Sequence, residues 1–188
     1  MKYALIYGFL SGLVIIVTMI TGIVFSGHES FFSSEWFGYL VMLVALTFIF
    51  VGVKRYRDVE RGGVIKFGVA FAMGLAIAAA AGVAYVAVWE LYLAMTDYKF
   101  IDQYIAGIMR AKQAAGVSGA ALAEQMAKLE SMRAHYANPL FRIPMTFMEI
   151  FPVGFLVALV SAALLRNPRI LPATGAAHPH RDEPHPRT

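Results

Sequence analysis

A single carboxyl group inside an apolar segment is the feature of this sequence with the most chemical potential. Glu149 is the only charged residue between Ile143 and Leu165, and it lies between Pro144 and Pro152. A carboxylate in such surroundings loses its hydration, which favours a neutral, hydrogen-bonded form that can bind a partner or carry a proton. Pro152 has no amide hydrogen, so a kink and a free carbonyl acceptor are predicted in the preceding turn.

The hydroxyl groups of Thr18 and Thr21, in another apolar segment, are candidate neighbours of this carboxyl group. Glu149, Pro152 and the two threonines therefore form a candidate polar site within the membrane. The alternative is a structural carboxyl group, bonded to one of the threonines, to a tyrosine or to Arg142, that contributes only to packing specificity.

Other chemistry has little support in the sequence. Motifs for acyl transfer, zinc hydrolysis and phosphate or dinucleotide binding do not occur, and the chain has no cysteine. Its histidines lack the tight spacing of metal ligands. We therefore predict no catalytic residue, no metal site and no cofactor. The basic residues are densest beside an apolar segment, which argues against a nucleic-acid partner.

The composition explains why an acid at position 149 is unusual. Of the 188 residues, 59% are hydrophobic and 15% are charged, against about 45–50% and 25% in soluble domains. These figures exclude a soluble enzyme, a disordered protein and a coiled coil, and the lack of cysteine excludes a disulfide scaffold. An integral membrane protein is predicted.

Four stretches are long and apolar enough to cross a bilayer as helices, since about 20 residues span its core. They are residues 3–25, 36–53, 67–95 and 143–165. The predicted fold class is an all-α integral membrane protein with four transmembrane helices in a domain of residues 1–166. Residues 167–188, rich in proline and histidine, are predicted to form a disordered cytoplasmic tail. Glu90, beside Trp89, is expected among the lipid headgroups, where it needs no functional explanation.

Basic residues near the span ends predict the orientation, because such residues stay on the cytoplasmic side. The connection between spans two and three carries five of them, whereas residues 26–35 carry none. These five, expected to form a loop that faces the lipid, are Lys54, Arg55, Arg57, Arg61 and Lys66. Both termini are then cytoplasmic.

Residues 97–138 are predicted to form a helical hairpin outside the membrane, between spans three and four. Gly116 separates two amphipathic helices, and Asn138-Pro139 ends the second. An apolar stripe on the second helix either packs within the hairpin or on lipid, or docks a partner protein. This candidate partner face consists of Leu122, Met126, Leu129 and Met132.

Small residues recur at every fourth position on spans one, three and four, a spacing that lets membrane helices approach closely. The helix-packing residues are Gly8, Gly12, Gly74, Ala78, Gly82, Gly154 and Ala158. These spans are expected to pack together, with span two more peripheral. The alternative use of the Gly8 and Gly12 face is a homodimer.

Several short blocks, in their order and spacing, resemble the bacterial membrane proteins of domain-of-unknown-function family 4199. They are Lys54-Arg55-Tyr56-Arg57-Asp58, Gly62-Gly63, Lys66-Phe67-Gly68, Tyr98-Lys99-Phe100-Ile101-Asp102 and Asn138-Pro139-Leu140. The resemblance covers roughly residues 3–166 and implies four spans and a bacterial cell envelope. It implies no biochemical activity and no functional residues. The alanine-rich outer helix and the long tail depart from the family pattern.

These observations favour a non-enzymatic protein of the bacterial inner membrane. We expect an envelope scaffold or accessory subunit whose partners are the lipid bilayer and either another membrane protein or a second copy. The alternative is an oligomeric permease for a small solute, an ion or protons that uses Glu149. A lipid-modifying enzyme would require a nucleophile and base that the spans do not supply.

Overall fold

The computed structural model describes residues 1–25 and 35–173, and their side chains except those of residues 19–25, 35–42 and 45. Within these ranges all regular structure is helical, which confirms the all-α prediction. The helices are α1 (Lys2–Phe25), α2 (Glu35–Glu60), α3 (Phe67–Met95), α4 (Phe100–Ala114), α5 (Gly119–Ala137) and α6 (Pro139–Leu165). The structure does not describe the side chain of Thr21. It also leaves out the connection of residues 26–34 and most of the predicted tail.

Two helix ends differ from the predicted spans. Helix α2 continues to Glu60 through the segment expected to be a basic loop. Helix α6 begins at Pro139, where a proline at the first position needs no amide bond and the Asn138 side chain accepts a hydrogen bond from the amide of Leu140 at 2.9 Å. Each extension contains a buried arginine, Arg57 in α2 and Arg142 in α6.

Helix α3 lies between α1 and α6 and contacts both along its length. An added Cβ on Gly8 would lie 2.5 Å from Cβ of Ala80, and one on Gly12 would lie 2.7 Å from Cβ of Ala84. Both residue numbers rise together, so α1 and α3 run parallel. The glycine face proposed as an alternative dimer surface is thus covered by α3 of the same chain.

The contact between α3 and α6 is antiparallel and also rests on small residues. An added Cβ on Gly74 would lie 2.8 Å from Cβ of Ala158, and one on Gly154 would lie 3.0 Å from Cβ of Ala78. Gly82 faces the ring of Phe147. Glycine and alanine at these positions therefore bring the helix backbones together.

The expectation that span two is peripheral is wrong. Its helix α2 packs on α1, α3 and α6, and Leu46, Ile49 and Val53 are at most 1% exposed. Gly52 lies against the ring of Tyr7 and the side chain of Ile77. Large apolar residues, rather than a small-residue stripe, fill this side of the bundle. The lack of such a stripe therefore does not show that a helix lies at the periphery of the bundle.

Among the described residues, two helices are long and apolar enough to cross a membrane, Phe67–Met95 and Pro139–Leu165. A third apolar stretch, Lys2–Thr18, is shorter. The structure thus identifies two membrane-capable helices where four were expected. The remaining two predicted spans coincide with α1 and α2, which include the side chains that are not described.

Helices α4 and α5 contact each other as the predicted hairpin, and α5 also contacts α6. Gly116 follows α4 with a φ of 79°, a conformation that favours glycine and stops the helix. The carboxylate of Asp102 accepts from Nε of Arg133 at 2.8 Å and so links the two helices. Ile105 of α4 is buried.

Candidate functional site

Glu149 lies on the outward face of α6 rather than in the bundle interior. Its side chain is exposed, as are those of Met145, Met148, Pro152 and Leu156, which share this face at helical spacing. Within the described part of the chain the carboxyl group makes no hydrogen bond and no ion pair. The outward face of α6 is therefore an apolar surface with one carboxyl group that is neither hydrogen-bonded nor ion-paired within the described residues.

Two of the partners expected for Glu149, Thr18 and Arg142, are bonded elsewhere. The hydroxyl of Thr18 donates to the carbonyl of Val14 in its own helix at 2.9 Å. Arg142 pairs with Glu90, and Thr21 lies outside the described side chains. The structure therefore places Glu149 and Pro152 together and leaves Thr18 out of the candidate polar site.

The main polar cluster of the bundle centres on Arg142, which sequence reasoning considered only as a partner for Glu149. Its guanidinium Nε and NH2 groups donate to Oε1 and Oε2 of Glu90 at 2.7 and 2.6 Å. The third nitrogen donates to the carbonyl of Tyr136 at 2.9 Å. Arg142 is 2% exposed. This two-point ion pair fastens α3, α5 and α6 to one another.

Aromatic rings surround this ion pair. The guanidinium carbon of Arg142 lies 5.1 Å from the ring centre of Tyr98 and 5.6 Å from that of Tyr136. The indole nitrogen of Trp89 donates to the hydroxyl of Tyr136 at 2.8 Å. Burial raises the pKa of the Tyr136 phenol, so this group stays neutral.

The turn between α3 and α4 places Tyr98 on this cluster. Asp97 and Tyr98 have φ values of 52° and 55°, in the left-handed region that non-glycine residues rarely adopt. The amide of Tyr98 donates to the carbonyl of Leu93 at 2.8 Å and holds the turn. Glu90, expected to need no functional explanation, has a structural role here, because its carboxylate pairs with Arg142 at this end of the bundle.

A second buried arginine lies at the opposite end of the bundle. Arg57 is 0% exposed, so the expectation that it faces lipid is wrong. Its guanidinium group donates to the carbonyls of Ile170, at 3.1 Å, and Leu171, beyond the end of α6. Nε of Arg57 also donates to Oδ1 of Asp58 at 2.7 Å. The start of the predicted tail is therefore tied to α2.

The acids at this end are held by cations. Partial burial acts to raise the pKa of Asp58, but hydrogen bonds from Lys54 and Arg57 outweigh it and hold this pKa below its ordinary value. Hydrogen bonds from Lys2 and Tyr3 lower the pKa of Glu60. Arg55, Arg61 and Lys66 are exposed, whereas Lys54 is half-buried and pairs with Asp58. That the exposed three face lipid stays a prediction.

The predicted partner face of α5 is partly covered. Leu122, Leu129 and Met132 are half-buried, while Met126 is 48% exposed. The packing interpretation accounts for the covered part, and Met126 alone offers little area for docking. Among the described residues no group of three or more histidines and acids lies close enough to hold a metal ion.

The fold and these clusters define an all-helical protein with membrane-length helices, fastened at both ends by buried arginines. The chain matches the family described as "Protein of unknown function (DUF4199)" over residues 6–167. It therefore belongs to this family, as the resemblance predicted. No curated protein and no solved structure matches the chain.

Proposed function

We propose that this protein spans the bacterial inner membrane four times, with both termini in the cytoplasm, and acts as a non-enzymatic accessory subunit. Its partner is another membrane protein, which it binds through the outward face of α6. The carrying observation is the exposed carboxyl group of Glu149, which makes no hydrogen bond and no ion pair in the described part of the chain.

The distribution of apolar side chains supports insertion in a bilayer. Many large apolar side chains face outward, as in Leu5 and Phe9 of α1, each 64% exposed, and Leu156 of α6, 57% exposed. A surface of this kind is unstable in water and is stable in lipid.

The charges of the two bundle ends support the orientation. Lys2, the end of α2 and the end of α6 share one end, through the Lys2–Glu60 ion pair at 2.8 Å and the bonds of Arg57. The exposed Arg55, Arg61 and Lys66 lie at this same end. Because basic residues stay inside, this end is cytoplasmic and the α4–α5 hairpin is extracytoplasmic.

The chemistry of Glu149 supports one kind of occupant for the α6 face. An unpaired carboxyl group within lipid is costly, and a hydrogen-bond donor on a neighbouring helix relieves this cost. We assign to this face a transmembrane helix of a partner protein that carries a basic or amide side chain at the depth of Glu149. Met145, Met148 and Leu156 supply the apolar contact around it.

Site-specific photo-crosslinking in cells tests this assignment. A photoreactive residue at Met148 should give one defined protein adduct, and a photoreactive residue at Leu5, on the outward face of α1, should give none. In the Glu149→Leu variant the adduct should fall by more than an order of magnitude, because loss of one member of a desolvated pair costs about 2–5 kcal/mol. Glu149→Gln, which can still form hydrogen bonds, should retain more of the adduct.

Several outcomes would contradict the proposal. Lipid adducts alone, an adduct unchanged in Glu149→Leu, or an adduct with a second copy of this chain would each exclude the proposed partner helix. Glu124→Gln removes a carboxylate from the exposed surface of α5. It is the matched control and should leave the adduct at Met148 unchanged.

The ionisable group on α6 also favours a second candidate function, an oligomeric permease in which Glu149 carries a proton. This function predicts pH-dependent flux into liposomes that contain the purified protein, and loss of the flux in Glu149→Gln. An accessory subunit predicts no flux above that of empty liposomes.

A further inference from the structure

An apolar groove lies between α1, α2 and α3 at the end of the bundle that carries the basic residues. Its volume is about 360 Å³, and its lining includes Ala4, Tyr56, Gly68, Ala72, Met73 and Ala76. Short side chains on α3 leave this space unfilled, since a Cβ added to Gly68 would meet no atom within 4 Å. The walls carry no charged side chain, so the groove suits an apolar occupant.

Cationic side chains lie around the same end of the groove. Arg61 donates from Nε and NH2 to the hydroxyl of Tyr56 at 3.1 and 2.9 Å, which holds the guanidinium group beside a lining residue. Lys66 precedes Gly68 by two positions at the start of α3 and is exposed, as is Arg55 of α2.

These cations are available to an anion. The acids at this end already have partners: Asp58 pairs with Lys54 and Arg57, and Glu60 pairs with Lys2. Within the described part of the chain Arg55, Arg61 and Lys66 form no ion pair. The groove therefore combines an apolar interior with an excess of positive charge beside it.

We propose that this groove binds one acyl chain of an anionic phospholipid, whose phosphate contacts Arg61 and Lys66. A molecule with a long apolar chain and an anionic head matches both features, whereas a neutral lipid uses only the groove and a free phosphate only the cations. This site is more specific than the general attraction of basic segments to anionic membranes. It rests on the membrane location proposed above and is independent of the partner at Glu149.

Native mass spectrometry of the full chain in mild detergent tests the site. Phosphatidylglycerol should remain bound as one molecule per chain under conditions that remove phosphatidylcholine with the same acyl chains. Ala72→Phe, which fills the groove, should abolish this retention, while Val83→Phe, on an exposed part of the same helix, should preserve it.

Charge variants test the head group. Arg61→Gln combined with Lys66→Gln should weaken phosphatidylglycerol binding about 30-fold, at the usual contribution of a basic residue near anionic lipid. Lys99→Gln combined with Arg110→Gln, at the hairpin, removes the same charge elsewhere and should leave binding unchanged.

Equal retention of the two lipids, retention unaffected by Ala72→Phe, or displacement of the lipid by excess inorganic phosphate would each overturn the proposal. If Ala72→Phe lowers the Tm, Gly68→Leu carries the same test, since its side chain enters open space. Crosslinking at Met148 reports separately on the proposed partner, so failure of one proposal is distinguishable from failure of the other.

Discussion

At the scale of single residues, the polar groups of this bundle mainly hold its helices together by hydrogen bonds and ion pairs. Arg142 and Arg57 are nearly or fully buried, and each bonds to an acid and to at least one backbone carbonyl of another helix or turn. A buried guanidinium group is tolerated only when most of its donors find acceptors. Glu149 differs from both because its side chain is exposed and makes no hydrogen bond or ion pair in the described part of the chain.

Loss of Arg142 should destabilise the bundle strongly. Arg142→Met leaves the Glu90 carboxylate without its counter-ion and should lower the free energy of unfolding by about 3 kcal/mol. We place the effect at the low end for a buried pair because the Glu90 side chain is 22% exposed. Unfolding in a detergent titration measures it, and Glu90→Gln combined with Arg142→Met should recover part of the loss.

The exposed pair of Arg133 and Asp102 provides the control for this experiment. Both side chains are about half exposed, at 47% and 49%, so Arg133→Met should change stability little. If Arg133→Met lowered the free energy of unfolding as much as Arg142→Met, the larger stabilising role given to Arg142 would be wrong.

Asp58 should make stability depend on acid pH. Its pKa in the folded protein lies below the ordinary value of 3.8. The resulting stabilisation is present above that ordinary value and is lost as the pH falls through the lower, folded-state pKa. The Tm difference between the native protein and Asp58→Asn should therefore be constant above about pH 5 and shrink below it. A difference that grows in acid would contradict this prediction.

At the scale of elements, close contact between helices depends on where glycine is placed. Gly74 lies against both Cα and Cβ of Ala158, whereas Gly107, inside α4, has open space around it. Both glycines lie inside an α-helix, but only Gly74 has close neighbours from another helix. They therefore separate helix propensity from packing.

Gly74→Ala should destabilise the protein, and Gly107→Ala should not. At Gly74 the new methyl group meets Ala158 backbone and should cost about 1–3 kcal/mol, which exceeds the gain in helix propensity. At Gly107 only the propensity gain of at most about 1 kcal/mol applies. Parallel Tm measurements in one detergent compare them, and equal shifts would show that the α3–α6 contact is looser than the structure indicates.

At the scale of the whole molecule, two charged ends enclose an apolar bundle. One end carries the exposed Arg55, Arg61 and Lys66, and the other carries the α4–α5 hairpin beyond the Arg142 cluster. The compact cluster of basic residues at the first end supports the proposed orientation, because basic residues next to span ends stay on the cytoplasmic side.

Cysteine labelling tests the orientation directly, because the chain has no native cysteine. Val64→Cys lies in the exposed turn before α3, and Ser131→Cys lies on the exposed surface of α5. An impermeant thiol reagent applied to intact cells should label Ser131→Cys and should label Val64→Cys only after the membrane is opened. The reverse pattern would invert the topology.

The sequence by itself determined most of the helices and the family. Apolar runs, Gly116 and Asn138-Pro139 marked α1, α3, α6 and the hairpin to within a few residues, because hydropathy and helix-stop signals are local properties of the chain. The resemblance in short ordered blocks was confirmed over residues 6–167.

Only the tertiary structure decided which polar residues are partners. Lys54–Lys66 appeared in sequence as one basic loop, yet Arg57 turns inward and Arg55 outward, because the rotation of α2 against its neighbours selects the buried face. Likewise Arg142 pairs with Glu90, which lies 52 positions away, and not with Glu149 on its own helix. Such pairings depend on how helices rotate and cross, and the spacing of residues along one chain does not contain that information.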